Sequence, residues 1–223
     1  MTPLNDWRPL YLISFVSAIL LILIIPVQIL IYFLSPPPTT AEGFLALYAA
    51  SPLKGLLSLD LLYVLNNVLM IPIYLAFYQS LKTHRPALMT LATAFGLVGL
   101  AVYFPSNTAF EMLTLSQRYA AASTPLQQQG LISAAETLLA IYTGTAFNAY
   151  YVLNALTLLI VSWVMLKTGV YSRATASWGL AAGLLMVIPS TAGTLGLVFS
   201  ILSLIPWIVF SAKVARAFLK LKD

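Results

Sequence analysis

Long apolar runs, each closed by a short loop that carries Lys or Arg, constrain this chain more than anything else in it. The first run, residues 10–34, is about 25 residues of mostly Leu, Ile, Val and Phe. At about 1.5 Å per residue it covers the roughly 30 Å of a bilayer's hydrocarbon core. Further runs at 53–81, 87–104, 145–166, 174–188 and 194–210 complete a layout of six spanning helices. With the N-terminus in the cytoplasm, Arg8, Lys82, Arg85, Lys167, Arg173, Lys213, Arg216, Lys220 and Lys222 fall inside. Lys54 and Arg118 fall outside, together with Glu42, Glu111 and Glu136. A consistent Lys/Arg bias of this kind sets the direction of each span. The expected fold class is therefore all-α: a polytopic transmembrane bundle of about six helices, one domain over 1–223, with both termini cytoplasmic.

Composition agrees. The chain is 61% hydrophobic and 8% charged, against about 25% charged in an ordinary soluble domain. The net charge of +5 comes from cations that punctuate helix ends instead of forming a patch, so no nucleic-acid partner is expected. With no cysteine in the sequence, disulfides and thiolate sites are excluded. The run at 10–34 exceeds the 7–15 residues of a signal-peptide core, so it is expected to stay as a membrane anchor.

Between the spans, Pro36, Pro37 and Pro38 stop the first helix. Residues 41–50 are too few to cross and read as an interfacial helix, with Phe44, Leu47 and Tyr48 facing the lipid boundary. The longest non-spanning stretch, 105–143, holds two segments of helical composition separated by Ser123-Thr124-Pro125, a cap followed by a first-turn proline. An outward helical hairpin and a pair of surface helices are both consistent with it. Gly179 and Gly183 make a GxxxG motif, and Ala92, Gly96 and Gly99 a second small-residue face. Both suit close helix packing, within the chain before a dimer seam. Pro26, Pro72 and Pro206 lie inside spanning segments, where they permit bends.

Few polar groups interrupt the apolar segments, and inside a bilayer such groups face the bundle interior or a wet cavity. Asp60, Tyr63, Asn67, Tyr74 and Tyr78 share one helical stripe, and Asn107, Glu111, Thr114 and Arg118 another. Counted back from Lys82, Asp60 lies roughly 33 Å and Asn67 roughly 22 Å from the inner boundary; Asn148 lies roughly 28 Å from Lys167. The polar set therefore gathers towards the outer leaflet. Asp60, Asn67, Asn107, Glu111, Arg118 and Asn148 are the candidate lining of an outward-facing polar pocket. The same residues serve equally as interhelical hydrogen-bonding braces. Asp60 with Arg118 is the natural ion pair among them.

What is missing discriminates further. The only histidine, His84, sits in a basic loop beside Arg85, which excludes histidine-ligated haem or zinc within the membrane and a buried Ser-His-Asp set. No phosphate-binding glycine loop occurs, and nothing in the spacing of Asp60, Glu111 and Glu136 asks for an acid–base pair. No catalytic residue, metal or cofactor is expected.

The segment 107–120, NTAFEMLTLSQRYA, together with Gly144-Thr145-Ala146-Phe147-Asn148, Ser172-Arg173-Ala174-Thr175-Ala176 and Leu204-Ile205-Pro206-Trp207, resembles an uncharacterised family of bacterial multi-pass membrane proteins, the domain of unknown function 4386 family. The resemblance covers most of the chain from the second span onward. It implies a helical bundle in the bacterial inner membrane and brings neither catalytic residues nor a substrate. Two functions follow as expectations. The leading one is a non-enzymatic protein that binds a small or amphiphilic ligand in the polar pocket, for transport or sensing. The rival is an accessory subunit packed against a larger membrane complex through its lipid-facing helices and outer hairpin.

Overall fold

A computed structural model describes residues 7–222, which form ten α-helices and, among the described residues, no strand. In chain order they are α1 (Arg8–Leu34), α2 (Ala41–Ala50), α3 (Pro52–Ser58), α4 (Leu61–Leu81), α5 (Pro86–Tyr103), α6 (Ala109–Ala121), α7 (Pro125–Tyr142), α8 (Thr145–Thr168), α9 (Arg173–Leu185) and α10 (Gly193–Leu221). Residue chemistry sets the boundaries. The hydroxyl of Thr40 accepts from the Gly43 amide at 3.1 Å to start α2. Thr124, followed by Pro125, accepts from Gln127 at 3.3 Å to start α7, the cap read from the sequence. Ser172 does the same for α9 through the Thr175 amide at 3.1 Å.

Five stretches are long and apolar enough to cross a membrane: those of α1, α4 and α10, and two that contain α5 and α8. Large apolar side chains stay exposed along α1 (Ile13, Val16, Leu23, Ile29) and α10 (Leu195, Val198, Ile201, Ile205). Water would penalise that surface, whereas lipid does not. Two expected spans need correction. The segment expected at 174–188 is α9, whose 13 residues reach only about 20 Å, short of the hydrocarbon thickness. The segment expected at 53–81 is two helices, because Asp60 adopts φ 60° and breaks the rod between α3 and α4.

The helices sort into two compact units. The large unit comprises residues 1–23, 66–102 and 148–223; the small unit comprises 24–65 and 103–147. In the large unit, glycine is what lets the helices close. A Cβ on Gly179 would stand 2.1 Å from Ser162 Oγ and 2.7 Å from the Phe210 ring, and one on Gly183 would stand 2.8 Å from Leu159. The GxxxG face of α9 is therefore filled by α8 and α10 of the same chain. Gly96 receives the Tyr74 ring and Gly99 the Asn154 side chain in the same way. Phe77 gathers Tyr171, Phe210 and Phe218 around it at 5.6–6.1 Å between ring centres.

In the small unit, α2 packs on α3, α6 and α7, and α6 on α7. The stretch 105–143 is thus a helical hairpin that shares a core with α2. Leu45, Leu59, Ala109, Met112 and Ala135 are fully covered there. So are Phe44 and Tyr48 nearly so, which corrects the lipid-facing orientation expected for them: the aromatic side of α2 meets α6 and α7. Gly55 makes room for the Tyr48 ring, which a Cβ would meet at 2.4 Å.

Candidate functional site

The six residues expected to line one pocket separate into four local settings. Asp60 and Asn107 are neighbours in the small unit. Asn107 Nδ2 donates to the Leu59 carbonyl at 2.8 Å, and its own Oδ1 accepts from the Ala109 amide at 3.3 Å, so it ties the α3–α4 break to the start of α6. Asp60 Oδ1 accepts from the Tyr32 hydroxyl and Oδ2 from the Tyr142 hydroxyl. Two phenols thus hold the carboxylate that Arg118 was expected to pair. Burial raises the Asp60 carboxyl above its ordinary range, and the hydrogen bonds from Tyr142 and Tyr32 offset part of that rise.

Gln28 stands one helical turn before Tyr32 on α1, so the two share a face. Its Nε2 donates to the Leu57 carbonyl at 3.4 Å. This arrangement braces a kink: a strained left-handed residue is held by side chains from α1 and α7.

Glu111 and Arg118 form the second setting. They line an open groove between α6 and α7 with Thr114, Leu115, Ala134, Thr137 and Leu138, enclosing about 490 Å³. Seven residues apart on α6, the two charges are separated by about 10 Å along the helix axis. Leu115, Leu138 and Ala134 supply an apolar surface between charged positions. Beneath α6, the buried Tyr48 hydroxyl has no hydrogen-bond partner among the described residues; burial first, and the Glu111 charge second, push its ionisation upward.

Asn67 and Asn148 belong to the large unit. Asn67 is fully buried within α4. Asn148 Oδ1 accepts from the Thr191 hydroxyl at 2.5 Å, linking the start of α8 to the turn before α10. Other intramembrane polar groups of that unit brace helices too. The Tyr74 hydroxyl donates to Asn154 Oδ1, whose Nδ2 donates to the Tyr150 carbonyl at 2.8 Å, and the Thr157 hydroxyl reaches the Ala92 carbonyl at 3.0 Å.

Sequence reasoning missed Tyr32 and Tyr142, the partners of Asp60, and the α7 wall of the groove. A signal existed for the wall: Ala134, Thr137 and Leu138 fall at i, i+3 and i+4, one helical face. No such signal marks the phenols, since tyrosine near a bilayer interface is common. No group of three or more His, Cys, Asp or Glu that could hold a metal occurs among the described residues.

Apolar helices with lipid-facing exteriors and polar groups turned into hydrogen bonds define a polytopic α-helical membrane protein. Residues 9–216 match the family described as Domain of unknown function (DUF4386). The chain belongs to that family. No curated protein and no solved structure matches it.

Proposed function

We propose that the protein binds a small or amphiphilic ligand in the groove between α6 and α7, for transport or sensing. One observation carries the reading: Glu111 and Arg118 flank an apolar strip in an open volume of about 490 Å³. A ligand with a cationic group at one end, an anionic group at the other and a methylene body between them matches that pattern. The charge layout of the sequence favours a bacterial inner-membrane setting with both termini cytoplasmic and the groove on the outside.

The test uses the full chain in lipid nanodiscs. Because the sequence lacks cysteine, Thr137→Cys takes a single environment-sensitive fluorophore on the groove wall. Titration with 8-aminooctanoate should give a saturable response, with octanoate and octylamine each weaker by about tenfold, the scale of one charge-assisted contact. Glu111→Gln together with Arg118→Gln should abolish saturation. A linear, non-saturating response that is the same in both proteins would sink the proposal.

A further inference from the structure

The large unit carries Arg8, Lys82, Arg85, Lys167, Arg173, Lys213, Arg216, Lys220 and Lys222, and its two side-chain carboxylates, Asp6 and Asp223, lie outside the described residues. Two of these cations converge on one indole. Arg85, at the residue before α5, places its guanidinium carbon 6.0 Å from the Trp163 ring centre. Lys167, in the last turn of α8, places its Nζ 5.9 Å from the same centre. All three side chains are exposed. Lys82 makes a similar approach to Trp7 at 5.5 Å and to Tyr78 at 5.4 Å, so aromatic rings and cations share this end of the unit.

Helix dipoles account for only half of the pair. Lys167 sits at the C-terminal, partially negative end of α8, where a cation is stabilised. Arg85 sits at the N-terminal, partially positive end of α5, where a cation is disfavoured. Two like charges each lie about 6 Å from one ring centre, one of them against a dipole, and a shared anion would favour both. None of the described residues of this unit is an Asp or Glu. Both helices here belong to stretches long and apolar enough to cross a membrane, and in a chain that spans the bilayer the ends of such helices lie at headgroup depth. The anion available there is a lipid phosphate, which a guanidinium binds through paired donors. An exposed tryptophan is at home at the same depth.

We propose that Arg85, Trp163 and Lys167 form a seat for the phosphate headgroup of an anionic phospholipid. This site lies in the large unit and stands independently of the groove between α6 and α7. The phosphate bridges guanidinium and ammonium while the indole carries the glycerol and upper acyl carbons.

The full chain, purified in mild detergent and exposed to an equal mixture of phosphatidylglycerol and phosphatidylcholine, gives the test by native mass spectrometry. The wild type should retain phosphatidylglycerol preferentially. Arg85→Gln with Lys167→Gln should cut that preference about thirtyfold, on the scale of two charges near an anionic surface. Arg85→Lys with Lys167→Arg, which keeps both charges, should retain most of it, and Trp163→Leu should weaken it several-fold. Equal retention of the two lipids by the wild type would overturn the proposal. So would a preference that survives the double glutamine variant, or one lost instead on neutralising Lys213, Arg216, Lys220 and Lys222. Glycerol 3-phosphate competing as strongly as the intact lipid would reassign the seat to a soluble phosphate and likewise overturn it.

Discussion

The two units solve opposite problems with the same secondary structure. The large unit closes on glycine: Gly96, Gly99, Gly179 and Gly183 let rings and polar side chains touch neighbouring backbones. The small unit closes on bulk, with Phe44, Tyr48 and Met112 filling the space between α2, α6 and α7. Their charges differ as sharply. Nine Lys/Arg lie in the large unit, whereas Glu42, Asp60, Glu111 and Glu136 lie in the small unit with only Lys54 and Arg118. Lipid offers no hydrophobic driving force between helices, so close approach through small residues has to supply the attraction. A core built from large apolar residues works by their burial, and such a core can carry an open charged groove on its outside.

If that contrast is right, the largest loss should come from truncating bulk in the small unit. Phe44→Ala should destabilise it by about 3–5 kcal/mol, read as earlier loss of α6–α7 hydrogen-exchange protection, while protection in α9 and α10 persists. Parallel loss in both would show that the units do not differ in this way. Next in size is an added methyl in the large unit. Gly179→Ala should cost about 1–3 kcal/mol through overpacking and lower the unfolding midpoint in detergent. The paired change Gly179→Ala with Ser162→Gly removes the nearer of the two clashing atoms and should recover about half of the loss, leaving the Phe210 contact.

Legibility divides along the same line. Most of the large unit is readable because its signals are local: apolar length, Lys/Arg at the ends, and small residues at three- and four-residue spacing; the exception is α9, too short to cross. Pro72 and Pro206 fall inside α4 and α10 as expected. The small unit was readable only in part. Hydropathy cannot tell an aromatic face turned to lipid from one turned to protein, so Phe44 and Tyr48 were placed wrongly. Nor can it see a break at Asp60, since the residues on either side of it, Leu59 and Leu61, continue the apolar run. The Asp60 site depends on Tyr32 and Tyr142, 28 and 82 residues away in sequence. Periodicity carries no information about such pairings. Glu111 and Arg118 share one face of one helix, so their common placement is legible in the sequence.

Asp60 offers a test with a definite sign. Its folded carboxyl is raised by burial, so at pH values between its unfolded and folded values the folded state holds a proton that the unfolded chain has lost. Stability from this residue is therefore greatest when it is protonated and falls as pH rises from about 4, the ordinary Asp value, through the higher folded value. Asp60→Asn mimics the protonated form and tolerates the left-handed backbone. It should flatten the pH dependence of the α6–α7 unfolding midpoint and gain on the wild type as pH rises. Tyr142→Phe removes a hydrogen bond that lowers the Asp60 value, so it should steepen the same dependence. A wild-type midpoint that instead climbs between pH 4 and 7, with Asp60→Asn abolishing the climb, would mean that the two phenols outweigh burial.

The smallest effect on stability is expected where function is placed. Glu111 and Arg118 are exposed on α6, and exposed charges contribute little to folding because water and salt screen them. Replacing both with glutamine should leave the unfolding midpoint of the small unit unchanged within error while removing the saturable response to 8-aminooctanoate. Residues retained for bracing show the opposite pattern, as Asn107 should: Asn107→Ala leaves the Leu59 carbonyl without its donor and lowers the midpoint by about 1–3 kcal/mol. Measuring both variants on one protein separates a groove that binds from a groove that is only a gap between two helices. Loss of stability in Glu111→Gln with Arg118→Gln equal to that of Asn107→Ala would move the pair from the ligand's account to the fold's.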